Sequence, residues 1–258
     1  MERTKIYTAL KGVRGWKPVD LAELEQILVR FSELIAEQHW IKELDFNPLL
    51  ASPDQLLALD ARVVVYGPEI SEGDLPELAI RQYPTQYVYS TATKDGVPVT
   101  LRPIRPEDEP MMVKFHESLS DRSVALRYLQ PMKLVDRIEH ERLGRICYCD
   151  YSREMALVVE GHDPAINQTG ILGVARLSRI HGLNAARFTV LIIDQFQGRG
   201  LGSELLHRML QIARAEKLEK IETYITTDNI PMQRMLEKQG FQISPIGDRK
   251  LLRGEKTL

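Results

Sequence analysis

The chain has 258 residues, of which 43% are hydrophobic and 27% charged, the composition of a globular protein with enough length for a large core in one domain or two. Its formal net charge is −2 at pH 7 and its basic residues form no runs, which argues against a nucleic-acid binder. The opening MERTKIYTALKG is too charged for a signal peptide, and no apolar run is long enough to span a membrane, so a cytoplasmic protein without a membrane partner is expected.

The first third of the chain has its own pattern, with a helix starting at Asp20. Asp20 followed by Glu23 resembles a capping box just after Pro18, and Leu21, Leu24, Leu28, Phe31 and Ile35 share one helical face. Two strand-like runs follow, WIKELDF and LLALDARVVVY, joined by the turn-rich NPLLASPDQ. A helix and one hairpin make a thin core, so this part reads as the end of something larger. Pro68, Pro76 and Pro84 then punctuate the acidic EISEGDLPEL, a connector with one helical turn, and Asp95-Gly96 marks a hairpin between QYVYSTA and VPVTLRPI. The expected organisation is residues 1–66, a connector at 67–97 and a second domain at 98–258.

The second domain alternates. Apolar spacing of three and four predicts helices over Glu107–Ser118, Ser120–Leu129 and Val135–Arg145. In RICYCDY, Cys147 and Cys149 are two positions apart, on one face if the segment is a strand. No Cys or His partners are arranged nearby for a metal, so both are read as reduced structural thiols. Strands EMALVVEG, GILGVARLSRI and ARFTVLIID lead into a glycine loop and the helix SELLHRMLQIARAEK, whose inner side carries Leu205, Leu206, Met209, Leu210 and Ala213. Strand KIETYITT, helix IPMQRMLEKQ and closing strands FQISPI and KLLRGEKTL complete an α+β pattern, one sheet with helices on its faces.

The glycine loop QGRGLG carries the chemistry. Gly198, Gly200 and Gly202 remove side chains, so backbone N–H groups can approach an anion, and a helix beginning at about Ser203 adds its positive end. Glycines serve simple turns equally well, but a position between an apolar strand and an amphipathic helix is where phosphate sites are built. No Gly-Lys-Ser/Thr follows and the G-x-G-x-x-G spacing fails, which excludes a P-loop and a dinucleotide fingerprint.

Gln197, Gly200 and Gly202 fit the Q/R-x-x-G-x-G/A loop of the GNAT acyltransferases, and DNIPMQRMLEKQGF resembles the second half of that signature, with Asn229 and EKQGF in register. VTLRPIRPEDEPMMVKFHESLSDRSVALRYL and DYSREMALV resemble one subgroup, the bacterial protein lysine acetyltransferases fused to an ADP-forming acyl-CoA synthetase-like region. The resemblance implies a GNAT fold, a mixed central sheet flanked by helices. It implies acetyl-CoA as donor, an amine, foremost a protein lysine, as acceptor, direct transfer and no metal. The coenzyme is then expected at Leu191, Ile192 and Ile193, at Gln197, Gly198, Arg199, Gly200, Leu201, Gly202 and Ser203, and at Asn229 and Met232, with Leu191 and Ile193 as backbone partners of the pantetheine. GVRGWKPVDLAELEQIL, ELDFNPLL and ALDARV resemble the closing segment of an ATP-grasp domain of those synthetases. Asn47 and Asp60 match its magnesium pair, most of that domain is not in the chain, and residues 1–66 are expected to be structural support within a longer protein.

A lysine ammonium has a pKa of ~10.4, and a positioned base typically contributes ~10²–10⁴-fold. The family's glutamate base aligns with Arg187 of AARFTVL, and an arginine cannot serve and repels an ammonium. Its alternative reading is a strand residue paired with a nearby carboxylate. Leu236 stands where many members have a tyrosine, and also reads as helix packing. Glu154, Asp150 and Tyr224 are the replacement candidates for the base, each also readable as structural. Two readings stay open: an N-acetyltransferase, or a catalytically impaired acetyl-CoA-binding regulatory module of a larger synthetase-like protein.

Overall fold

The computed structural model describes residues 5–12, 17–53, 55–76, 83–163, 167–247 and 250–258, and the chain divides into two units, residues 1–81 and 82–258. The first unit contains α1 (Lys5–Leu10), α2 (Leu21–Glu37), β1 (Ile41–Phe46), β2 (Leu49–Ala51), β3 (Leu56–Ala58) and β4 (Ala61–Val65). The expected cap is present, with Glu23 N donating to Asp20 Oδ1 at 3.0 Å. β1 pairs antiparallel with β4, and β2 with β3. LLALDARVVVY is therefore two strands instead of one. Leu59 N donates to Pro48 O and Asn47 N to Asp60 O, which folds the run back on NPLLA and places Asn47 beside Asp60. Among the described residues of this unit only Leu24 is buried, while Leu28, Val29, Leu50, Leu59, Val63 and Val65 are exposed. Where one helical turn was expected, the described residues of the connector hold two 3₁₀ turns, Glu72–Asp74 and Thr85–Tyr87, and residues 77–82 of the connector and 13–16 of the ATP-grasp-like segment lie outside the described residues.

The second unit is an eight-stranded sheet. Its strands are β5 (Tyr89–Ala92), β6 (Pro98–Pro103), β7 (Glu154–Asp163), β8 (Gln168–Arg179), β9 (Ala185–Ile192), β10 (Lys220–Thr226), β11 (Gln242–Pro245) and β12 (Leu251–Thr257), in the order β11-β12-β10-β9-β8-β7-β6-β5. Every neighbouring pair is antiparallel except β9 and β10, which run parallel, so the sheet is mixed as expected. The helices are α3 (Glu109–Glu117), α4 (Asp121–Tyr128), α5 (Leu134–Arg137), α6 (His140–Cys147), α7 (Leu201–Ala215) and α8 (Ile230–Lys238).

Two expectations change here. The helix read over Val135–Arg145 is broken at Ile138-Glu139 into α5 and α6. The apolar spacing continues across the break, so periodicity alone cannot show it. Cys147 ends α6 and Cys149 lies in the turn after it, with its thiol donating to Glu154 O at 3.2 Å. The cysteines therefore share no strand. α7 buries Leu205, Leu206, Met209, Leu210 and Ala213 as expected, and burial of each large apolar side chain contributes ~1.5–3 kcal/mol. Arg102, buried on β6, donates to both carboxylate oxygens of Asp108 at 2.7 Å and so fastens β6 to the turn that starts α3.

Candidate active site

β9 and β10 are paired only over Ala185–Arg187 and Lys220–Glu222. Beyond that they part, and a cleft of about 320 Å³ opens between Thr189–Ile192 on one wall and Thr223–Ile225 on the other. Ser123, Leu126 and Arg127 of α4 and Asn229, Met232 and Met235 of α8 and its cap line it as well. The backbone parity of β9 decides which peptide groups face this gap. Ile193 N donates to Leu172 O at 3.0 Å, and alternate residues of a strand point their peptide groups the same way. Leu191 is therefore turned to β8 with Ile193, and the open edge belongs to Val190 and Ile192. The expected backbone pair Leu191 and Ile193 is one residue out of register. Leu191 and Ile192 still line the cleft, whereas Ile193 is wholly buried.

The glycine loop closes the wide end. Gly198 and Gly200 have φ of 76° and 93°, backbone that side chains rarely adopt. α7 begins at Leu201, two residues before the expected Ser203, so the N–H groups of Gly202 and Ser203 fall in its first turn, where a helix offers them no partner. Gly198, Gly200, Gly202 and Ser203 all line the cleft. Arg199 and Leu201, also expected at the coenzyme, are not among the lining residues: the Arg199 side chain pairs with Asp95 at 3.0 Å and lies over the Phe196 ring, and the Leu201 side chain is buried. Lys94, which sequence reasoning missed, does line it. Lys94 N donates to Arg199 O at 2.9 Å, and a Cβ on Gly200 would come within 3.1 Å of Lys94 Cγ. The Asp95-Gly96 hairpin signal pointed to this turn, but nothing local showed that it reaches the loop.

Gln197 braces the site from behind, with Nε2 donating to Ser123 Oγ and Ile192 O, both at 3.0 Å. Ser123 and Ser120 donate in turn to Asp194 at 2.7–2.9 Å. Burial works against the Asp194 charge, but these hydrogen bonds hold its carboxyl below its usual range. Asn229 caps α8, accepting from Met232 N at 3.3 Å, and faces the cleft together with Met232.

At the narrow end, where the strands part, Arg187 is not an unmatched charge. It donates to Glu222 Oε1 at 2.9 Å, Arg253 takes Glu222 Oε2 at 2.9 Å, and the Arg187 guanidinium lies 4.9 Å from the Tyr224 ring centroid. Although burial opposes it, the two arginines hold Glu222 below the ordinary carboxylate range. The paired-carboxylate reading of Arg187 is thus the observed one. Register places Glu154, Ser178, Arg187 and Glu222 side by side across β7, β8, β9 and β10. Glu154 ion-pairs with Arg176 and lines a second cleft, of about 670 Å³, which shares Arg127 and Thr189 with the first. Tyr224 lines the first cleft. Asp150 borders neither, and instead accepts from Ser152 N at 3.0 Å and faces Arg153 at 3.6 Å. Leu236 is buried. Burial pushes both thiols up to about 12, which keeps them protonated and unsuited to nucleophilic catalysis.

A profile of the acetyltransferase (GNAT) domain matches residues 99–242, more than half of the chain. The chain belongs to the GNAT acetyltransferase family. A profile of the ATP-grasp domain matches residues 1–65. The beta subunit of an ADP-forming acetate–CoA ligase of Pyrococcus furiosus is 44% identical over 61 residues, 24% of this chain and 26% of that subunit, so the chain spans about a quarter of its length. An acetyltransferase of Pseudomonas aeruginosa is 25% identical over 147 residues, 57% of this GNAT chain and 76% of that protein. Among solved structures, the GNAT domain of S. lividans PAT superposes with a TM-score of 0.60 at 22% identity, over 69% of this chain and 100% of that one. RimJ of Mycobacterium smegmatis, solved with CoA-disulfide, gives 0.50 at 18% identity, over 66% and 86%. At these identities the likeness concerns the fold.

Proposed function

We propose that the chain transfers the acetyl group of acetyl-CoA directly to an amine, a protein lysine, and that the splayed β9–β10 edge leading into the Gly198–Ser203 loop is the coenzyme site. The carrying observation is the coincidence of two backbone features. Val190 and the N–H of Ile192 face the gap without a strand partner, Ile192 O being taken by Gln197, where pantetheine amides add as a strand would. The loop offers N–H groups at a helix N-terminus, suited to a pyrophosphate. Lys94 adds a cation to the loop, and Asn229 and Met232 flank the thioester end.

The acceptor amine enters by the second cleft, loses its proton and attacks the thioester carbonyl carbon. The C–N bond forms, the C–S bond breaks and the thiolate takes up a proton. A β9 N–H at the open edge stabilises the carbonyl oxygen as it gains charge. Glu154 is the carboxylate of that cleft and takes the amine's proton. Glu222, shared with Arg253, offsets part of the Arg187 charge and so eases the approach of an ammonium. The protonated thiols favour direct transfer over an acyl-cysteine, and suit a reducing cytoplasm. Among the described residues no helix is long and apolar enough to cross a membrane. The likeness of residues 1–65 to a ligase subunit supports placement in a longer acyl-CoA synthetase-like protein.

The test is the pH profile of acetyl transfer to a lysine peptide by wild type and Glu154→Gln. Loss of a general base predicts a kcat lower by ~10²–10⁴-fold near neutrality, with the deficit shrinking as rising pH deprotonates the amine itself. A parallel profile at all pH values assigns Glu154 to packing of Arg176 and removes it from the mechanism.

A further inference from the structure

The second cleft is lined by six arginines, Arg127, Arg142, Arg145, Arg176, Arg179 and Arg187, and by a single carboxylate, Glu154. Four of the arginines are matched: Arg176 by Glu154, Arg187 by Glu222 at 2.9 Å, Arg179 by Glu216 at 3.1 Å and Arg145 by Glu141 at 3.9 Å. Arg127 and Arg142 have no ion-pairing carboxylate among the described residues. They lie against the one ring of Tyr128, with guanidinium carbons 5.0 and 5.2 Å from its centroid. Arg142 Nε is buried without a hydrogen-bond partner. Burial disfavours the Arg127 charge, and Arg176 and Arg142 add to that against the opposing pull of Tyr128 and Glu154. Two guanidiniums held together on one ring, partly out of water and beside other cations, are an arrangement that an anion relieves.

The position of the pair gives that anion a role. Arg127 and Thr189 border both clefts, so an anion on Arg127 and Arg142 lies beside the point where acetyl and amine must meet. We propose that Arg127 and Arg142 form an acceptor subsite for a carboxylate, and that the preferred acceptor is a protein lysine flanked by aspartate or glutamate. This rests on the acetyltransferase reading above and adds the substrate class. Attraction for the flanking carboxylate offsets the repulsion that a cationic cleft exerts on a lysine. The same positive surroundings favour the neutral, nucleophilic form of the amine once it is bound.

Acetyl transfer and, separately, calorimetric binding to the CoA-loaded protein are measured with three peptides, in which one lysine is flanked by glutamate, alanine or arginine. Nα-acetyl-lysine, a small amine with its own carboxylate, is the fourth substrate. The expected kcat/KM is at least tenfold higher for the glutamate-flanked peptide than for the alanine-flanked one, and lowest for the arginine-flanked one. The preference falls with salt. Arg142→Gln brings the glutamate and alanine peptides to within about twofold, mainly through KM, with retained acetyl-CoA binding as the check that the variant is folded. Arg142→Lys serves if it is not, and retains part of the preference. Equal kcat/KM and equal binding for all three peptides overturns the subsite and leaves the acetyltransferase reading intact. A preference for Nα-acetyl-lysine over every peptide overturns the protein-lysine assignment. Acetyl-CoA binding without transfer to any acceptor defeats the acetyltransferase reading, and the binding data alone then decide the subsite by the same tenfold criterion.

Discussion

At the scale of single residues, the chemistry of Arg187 is set by what surrounds it. The buried carboxylate of its strand neighbour Glu222 is held between the half-exposed guanidiniums of Arg187 and Arg253, and in the proposed reaction proton transfer falls to Glu154 across the sheet. His116 is the second residue whose surroundings decide its state. It is 2% exposed, both ring nitrogens lack a hydrogen-bond partner, and burial, with Arg137, Arg142, Arg127 and Arg176 adding to it, lowers its pKa to about 4. The unfolded chain protonates this group near 6.5 and the folded one does not. Unfolding is therefore coupled to proton uptake between those values, and stability falls as pH drops from about 6.5 towards 4, by up to ~3 kcal/mol. Urea unfolding at pH 7 and pH 5 is expected to show this loss in wild type and a smaller one in His116→Leu. An unchanged pH dependence in that variant would place the acid sensitivity elsewhere. Gly198, Gly200, Gly202, Ser203 and Asn229 were legible in the sequence because they work through local backbone geometry. Lys94, Glu222 and Arg127 were not, because each joins the site through strand register or through a turn far away in sequence.

At the scale of elements, the site exists because a parallel pair of strands stops pairing after Arg187 and Glu222 while their other partners continue. Hydrophobic periodicity reported most of these elements well, since α7, β9 and β10 each carry one strong pattern. It failed where a turn interrupts a continuing pattern, as between α5 and α6 or between β3 and β4. It also misjudged which peptide groups of β9 face the gap, since side-chain alternation is visible in a sequence and backbone hydrogen-bond parity is not. The loop between β9 and α7 is the element most exposed to substitution. Gly200→Val places a branched side chain at φ 93° and 3.1 Å from Lys94 Cγ, at a cost of ~1–2 kcal/mol for the backbone alone. Calorimetry is expected to show acetyl-CoA binding weakened at least tenfold with the fold retained. Wild-type affinity in the variant would exclude the loop as the phosphate cradle.

At the scale of the whole molecule, every residue lining the two clefts lies between Lys94 and Met235, inside the second unit. The first unit buries little among its described residues and leaves Leu28, Leu59, Val63 and Val65 exposed. Both clefts thus belong to the acetyltransferase unit. In the sequence the acetyltransferase motifs cluster after residue 97, although the expected connector at 67–97 takes in β5 and Lys94 of the second unit; the arginine-lined cleft was hidden, since its members come from α4, α6, β8 and β9. The central claim is that acetyl leaves acetyl-CoA for an amine in that unit. Its most direct test is mass spectrometry of a lysine peptide incubated with acetyl-CoA and the chain, alongside the amount of free CoA released. One acetyl group on the lysine side chain for each CoA released, with release dependent on the peptide, is the predicted result; acetyl-CoA bound in the cleft but neither acetylated peptide nor peptide-dependent CoA release would contradict it.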